Sequence, residues 1–462
     1  MVDVYVIGGG LPELSAALEL AEVGLSVRTG DWPIEGAPAA VARARAEAVG
    51  GADALPDPDG VLRELLQHIA APLSQGGHVN DEVRAVSVAP NPVLLRGIKQ
   101  EWVPQPVPAA LGIPAVPISS HAVAVLGGRA AARAYLDRVK PVLTIGKAHS
   151  LGELVRSRLG EAVVERLVDP FVRERFGLAA DEVEVAAAVP GLNEALTRAG
   201  SLSGAVLANA DRDVARETAV APVGGWPAAF AELKQRLGLY GAQVAAATVT
   251  AVERTGDDVW RVEEVDGTVT EARALVVGVD ASSAREAPAV LETAGVLSEA
   301  LHDVLPTRWR MEARVALAAG ADGLPIGDET ALCAVELADG QHWAVRVEPG
   351  GARRARLSGP VIEGVDLEGV PSEGQVQRSV SEALTAVGLA AAGGVEAVLR
   401  IAPYASIEQR EAAERRLGAA REATHDLLAV GEALHGGSTA SAVADARTQA
   451  VLLRRRLAGI AD

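Results

Sequence analysis

Residues 4–31 read VYVIGGGLPELSAALELAEVGLSVRTGD. The apolar run Val4-Tyr5-Val6-Ile7 enters Gly8, Gly9 and Gly10 without a polar break, a helix-like stretch follows, and a second strand-like run ends at Asp31. This is the order of a β-α-β unit, with a buried strand, a helix from about Leu11 to Val23 and a strand at Leu25 to Thr29. Pro12 suits a first helical turn, where its missing N–H has no intrahelical acceptor, and Glu13 is favoured by the positive end of the helix dipole. A G-x-G-x-x-G fingerprint would place glycine at 8, 10 and 13. Gly8 permits the tight turn and Gly10 the close approach of a pyrophosphate, with Gly9 between them. Asp31 stands about twenty residues on, where an acid accepts ribose hydroxyls. Position 13, however, is glutamate. A carboxylate there adds bulk under the turn and negative charge where the helix start would attract phosphate. It either fills the anion position or swings into solvent.

Composition narrows the remaining classes. Lysine and arginine total 43 against 61 acidic residues, a formal charge of −18, which argues against non-specific attraction to nucleic acid or an anionic membrane surface. Cys333 is the single cysteine, so an intramolecular disulfide, a CxxC pair and a cysteine-rich metal site are excluded, and a reducing cytoplasm is expected. No signal-peptide pattern opens the sequence, and no apolar run reaches transmembrane length. The most apolar region, 103–126, is broken by prolines and reads as loop and short strands. The eight histidines lack ligand spacing, so no metal is expected.

Further blocks repeat the opening logic. Leu151, Leu154, Val155, Leu159, Val163 and Leu167 form one stripe, predicting an amphipathic helix over 150–171 stopped by Pro170. Residues 221–280 predict a glycine turn at Gly224-Gly225, a helix, a strand around Thr248 to Arg254, hairpin turns at Gly256-Asp257 and Asp266-Gly267, and the strand Ala274 to Val279. Residues 425–457 read strand, glycine-rich turn, helix, a second strand-to-helix turn like the first.

Four stretches carry a family resemblance: WVPQPVPAALGIPA (102–115), LGELVRSRLGEAVVERLVDPF (151–171), DEVEVAAAVPGLNEALTRAGSL (181–202) and PVGGWPAAFAEL (222–233). In this order they resemble the flavin-dependent amine oxidase superfamily, and more closely its protoporphyrinogen/coproporphyrinogen oxidase branch. The resemblance implies an α/β fold: a discontinuous Rossmann-type FAD-binding domain (1–75, 220–290 and 395–462) and an inserted α+β substrate domain with a helical part (76–219 and 291–394). It implies oxidation of a porphyrinogen with FAD as the cofactor. FAD carries the chemistry and no catalytic side chain is expected. Its cofactor residues map onto Gly8, Gly9, Gly10, Asp31, Val249 beside the adenine, Gly431, Glu432 at the ribityl-binding acid, and Gly436. A haem-pathway protein is a candidate partner.

Several positions depart from that pattern. Besides Glu13, the family's arginine after a double glycine has no counterpart around WPIEGAPAA, Arg173 and Glu174 replace a small, glycine-rich stretch beside the substrate, and Ser438 and Ala440 stand where Gly and Pro are favoured. His435 reads as a loop histidine. Three functions therefore stay open: a porphyrinogen oxidase, a diverged paralogue that has lost FAD and acts as a binding or partner protein, and an amine or polyene flavin oxidase. The last would need aromatic walls that a chain with 3% aromatic residues hardly supplies.

Overall fold

The structure is a computed structural model that describes residues 1–32, 54–73, 77–88, 93–141, 149–255, 259–279, 304, 307–318, 329–348, 353–364 and 371–460. The chain divides into two units, one of residues 1–89, 216–307 and 410–462, the other of 90–215 and 308–409. The crossing at 409/410 differs from the expected 394/395 because strand Glu396–Ile401 pairs antiparallel with Arg308–Ala316 in the second unit.

In the first unit, five strands run parallel. Val2–Ile7 lies between Val27–Asp31 and Val269–Gly278, Gln243–Arg254 adds beyond Val27–Asp31, and Leu427–Val430 adds beyond Val269–Gly278. Gln243–Arg254 continues through the antiparallel hairpin partner Trp260–Glu264 into Val269–Gly278, with the turn at Asp266-Gly267 in place. Strand Val27–Asp31 starts two residues later than predicted and carries its ladder to Asp31. Such central parallel strands are apolar on both faces, as Val4, Tyr5, Val6 and Ile7, all fully buried, illustrate. Helices Leu11–Ala21, Val61–Ala70, Gly225–Leu239 and Thr439–Leu457 share one apolar core with the sheet, among them Leu14, Leu18, Leu66, Phe230, Leu233, Val443 and Leu453.

Elsewhere in this unit the Tyr5 hydroxyl donates to Glu264 Oε1 at 2.7 Å, and Arg28 grips the same carboxylate through Nε (2.6 Å) and Nη2 (2.7 Å). Those Arg28 hydrogen bonds hold the buried Glu264 carboxyl below its ordinary range, against the opposing effect of burial.

The second unit is a seven-stranded sheet in the order Glu396–Ile401, Arg308–Ala316, Arg354–Glu363, His342–Glu348, Ala331–Glu336, Leu94–Arg96, Trp102–Pro104. All its pairings are antiparallel except Ala331 with Leu94. Its helical part has its own core, including Leu151, Val155, Leu159, Leu167, Val172, Phe176 and Leu192. The single long helix expected over 150–171 is instead divided. Ser150 caps Leu151–Leu159 by accepting from the Glu153 N–H, Gly160 at φ 102° ends that helix, a π-turn covers Val164–Val168, and Asp169–Phe176 follows. Pro170 opens this last helix rather than stopping one, because a first-turn residue needs no N–H. The 103–126 region has its short strands, and also a helix, Ser120–Leu126, capped by Ser119.

No helix among the described residues is long and apolar enough to cross a membrane. The turn expected at Gly256-Asp257, most of the 36–60 connection and the stretch after Trp32 in WPIEGAPAA lie outside the described residues.

Candidate functional site

The carboxyl ends of the parallel strands bring most of the sequence-predicted residues to one edge of the first unit, the edge where open α/β sheets bind ligands. Gly8 takes φ 125°, a conformation that costs glycine alone nothing, and its N–H donates to the Gly30 carbonyl at 2.8 Å, joining the two strand ends. Gly9 faces Asp31, so that a Cβ built on Gly9 would stand 3.4 Å from Oδ2. The Asp31 carboxylate also accepts from the Trp32 N–H at 3.0 Å. Gly10 is the N-cap of helix Leu11–Ala21. Val249 is fully buried, with its Cγ2 3.1 Å from a Cβ built on Gly30. Gly8, Gly9, Gly10, Asp31 and Val249 therefore form one group.

Gly431, Glu432 and Gly436 form a second group two strand-ends away. Gly431, at φ 130°, wraps around Val279. The Val279 N–H donates to Val430 O at 2.7 Å, and the Ala433 N–H donates to Val279 O at 3.1 Å. Glu432 accepts from the Thr439 hydroxyl at 2.5 Å at the start of helix Thr439–Leu457, and Gly436 turns the chain in the left-handed region at φ 60°. His435 is pinned 3.1 Å from Asp445, which also receives Arg421. Although burial opposes it, the His435 and Arg421 contacts hold the Asp445 carboxyl below its usual range. His435 is thus a structural loop residue, as its sequence context suggested.

Between the two groups lie two side chains, those of Glu13 and Trp32. Glu13 is buried to 3% exposure, and its carboxyl is wedged among the glycines. A Cβ built on Gly10 would meet its Oε2 at 2.5 Å, one on Gly278 its Oε1 at 2.5 Å, and one on Gly8 its Cγ at 2.9 Å. The carboxyl lies back against Gly10 at the helix start, in the place where the N-terminus would otherwise favour an anion. Of the two sequence alternatives for Glu13, the inward one holds.

Trp32 is the second. It leaves the end of strand Val27–Asp31, is 2% exposed, and donates from Nε1 to Gly278 O at 3.0 Å. Gly278 ends the strand on the far side of Val2–Ile7, so the indole spans the carboxyl end of Val2–Ile7. In a dinucleotide fold the pyrophosphate runs there. The sequence signals for this were a tryptophan directly after the predicted ribose acid, and Gly278 inside an apolar strand, where glycine marks a close approach.

These residues can be tested against FAD. The turn at Gly8 and the helix N-cap at Gly10 stand at the carboxyl end of strand Val2–Ile7, with Asp31 beside Gly9. The Glu13 carboxyl fills the space against Gly8 and Gly10 into which a phosphate would have to come. The indole occupies the adjoining space. The residues present do not fit a pyrophosphate.

In the second unit, Arg173 and Glu174 are engaged within the protein. Arg173 pairs with Asp169 at 3.3 Å, and Glu174 pairs with Arg346 through both carboxylate oxygens. Burial alone would raise the Glu174 carboxyl, but Arg346 and the neighbouring Arg356 and Arg310 bring it below its usual range. Burial pushes the Cys333 thiol up to about 12, so it is not a thiolate nucleophile at neutral pH.

No family model matches the chain, and no curated protein matches its sequence. Solved structures do match in fold. A provisionally named protoporphyrinogen oxidase from Exiguobacterium sp. 255-15 is 14% identical over 98% of this chain and 99% of its own, with a TM-score of 0.67. Cyclohexylamine oxidase from Brevibacterium oxydans is 15% identical over 99% of each chain, with a TM-score of 0.50. An oxidoreductase from Methanosarcina mazei is 15% identical over 96% of this chain and 99% of its own, with a TM-score of 0.52. At such identities the likeness is one of architecture. The chain has the mixed α/β fold of flavin oxidase-like structures along nearly its whole length.

Proposed function

We propose that this chain is a non-catalytic binding protein built on the flavin oxidase fold, whose dinucleotide crevice is filled by its own side chains. The observation that carries this reading is the Glu13 carboxyl wedged among Gly8, Gly10 and Gly278. The Trp32 indole over the same strand end supports it. The single cysteine suits a reducing cytoplasm and belongs to the same proposal.

A second reading keeps the ancestral activity: FAD-dependent, oxygen-dependent oxidation of coproporphyrinogen III to coproporphyrin III, or of protoporphyrinogen IX to protoporphyrin IX. The specific observation in its favour is the end-to-end fold likeness to the Exiguobacterium protein, together with the cofactor-ready backbone at Gly8 and Gly431. For that reading, the side chains of Glu13 and Trp32 must leave the crevice.

One measurement separates the two. The purified protein is examined for a flavin absorption band and then titrated with FAD while flavin fluorescence is followed. The expected result is no band and no saturable binding at micromolar FAD. A stoichiometric bound flavin that is bleached by anaerobic coproporphyrinogen or protoporphyrinogen overturns the binding-protein reading and establishes the oxidase.

A further inference from the structure

The sheet of the second unit has one apolar face, with Trp309, Met311, Ala313, Leu357, Val345 and Leu399, and one face on which arginines stand among buried apolar residues such as Leu332 and Val398. On this second face the register places arginines directly opposite one another three times: Arg310 with Arg400, Arg314 with Arg356, and Arg346 with Arg356. Like charges facing each other across strands are destabilising, so an arrangement that repeats them calls for anions.

Among the described residues, two arginines of this face, Arg356 and Arg310, have no hydrogen-bonded carboxylate. Glu174 takes a fork from Arg346, while Arg356 reaches it only at 3.7 Å and makes no hydrogen bond among the described residues. Arg310 has no carboxylate within ion-pair distance among the described residues. Its Nη1 donates to the carbonyls of Glu174 and Arg175, and its buried Nε has no hydrogen-bond partner there. Glu312 lies 3.7 Å from Arg314 and 4.0 Å from Arg400. Glu348 and Glu396 stand at the periphery of the face, opposite Arg354 and Arg314. The guanidinium groups of Arg346 and Arg356 thus share the single carboxylate of Glu174. The side chains of Arg314, Arg356 and Arg400 keep 34%, 36% and 30% exposure, so solutes can reach them.

We propose that this face binds a multiply charged oxyanion, a small molecule bearing two or more carboxylate or phosphate groups, with Arg356 as the principal anchor and Arg310 and Arg400 flanking it. The fork of an arginine matches either group by paired N–H donation. The site belongs to the second unit and contains none of Gly8, Gly10, Glu13 or Trp32. It therefore stands whether or not the protein binds FAD, and its failure is distinguishable from failure of the binding-protein reading.

The test is calorimetric titration of the full chain with citrate and, separately, inorganic pyrophosphate, at low and high salt, for the parent and for Arg356→Gln and Arg400→Gln. Saturable binding of at least one anion is expected, weakened by salt and about tenfold weaker in Arg356→Gln, a loss of about 1.4 kcal/mol. Citrate alone identifies a carboxylate ligand, and pyrophosphate alone a phosphate ligand. Absence of binding by both, or affinity unchanged in both variants, overturns the proposal. If Arg356→Gln lowers the melting temperature, Arg356→Lys decides. It keeps the charge but loses the fork, so weakened binding supports the site and unchanged affinity rejects it.

Discussion

The carboxyl group of Glu13 and the backbone of Gly278 occupy the same small space, with a Cβ on Gly278 meeting Glu13 Oε1 at 2.5 Å, Cγ at 2.7 Å and Cδ at 2.8 Å. Gly278→Ala is therefore expected to destabilise the protein by roughly 1–3 kcal/mol through overpacking. Combined with Glu13→Gly, the same change should be nearly neutral, because the obstructing group is gone. Chemical denaturation of the four proteins in this double-mutant cycle measures the coupling. Additive effects would show that the two residues do not meet.

Removing the carboxylate also tests the cofactor argument. Glu13→Gly restores the third glycine of the fingerprint and clears the carboxyl from the turn, so FAD affinity should rise, by up to about a thousandfold for an ionised carboxyl that repels a phosphate by roughly 4 kcal/mol. Trp32→Ala in addition should raise it further by clearing the indole from the strand end. Flavin fluorescence quenching reads both. Equal FAD affinity in the parent and Glu13→Gly would show that the carboxylate does not guard the phosphate position.

At the second turn, Gly431 combines φ 130° with a backbone neighbour that cannot yield. An added Cβ would overlap Val279 O and approach its carbonyl carbon to 2.7 Å. Gly431→Ala should cost more than about 3 kcal/mol, combining left-handed strain with a backbone clash. Gly436, at φ 60°, adopts a conformation that costs alanine only about 1–2 kcal/mol. Thermal denaturation of the two variants should therefore separate them clearly.

Stability should fall in acid. The folded-state values of Glu264, Glu174 and Asp445 are all depressed, by Arg28, by Arg346 and by His435 with Arg421 respectively, in each case against burial. A depressed carboxylate contributes stability that is complete above its unfolded value, about 4, and is lost as pH falls through the lower folded value. The melting temperature should accordingly be flat near neutrality and drop below about pH 4. Glu264→Gln, which loses the Arg28 ion pair, should flatten part of that drop while lowering stability at neutral pH. An unaltered pH profile in this variant would remove Glu264 from the explanation.

The parts of this architecture legible in the sequence are those set by local patterns. The apolar run into Gly8–Gly10 and the second strand-to-helix turn within 425–457 stand where periodicity and glycine placement put them. The division of the 150–171 helix was less accessible. Its apolar stripe runs on through Gly160, and only the positive φ of that glycine reveals the break. Glu13 posed an alternative that one-dimensional information could not resolve, since the same residue suits a helix start whether its carboxylate points in or out. Trp32 and Gly278 are far apart in sequence and meet only across three strands. The arginine face was equally hidden, because its members come from four strands and only the register makes them neighbours.

The interleaving of the two units bears on how the chain is made. Strand Leu427–Val430 completes the parallel sheet beside Val269–Gly278, yet the whole second half of the other unit is translated between them. During synthesis, the edge of Leu275–Gly278 stays open while more than about a hundred further residues emerge, and an exposed parallel edge rich in valine and leucine invites wrong pairing. On the ribosome this protein must wait for its last strand, and a chaperone that shields that edge would be expected to raise its yield more than one that assists the helices.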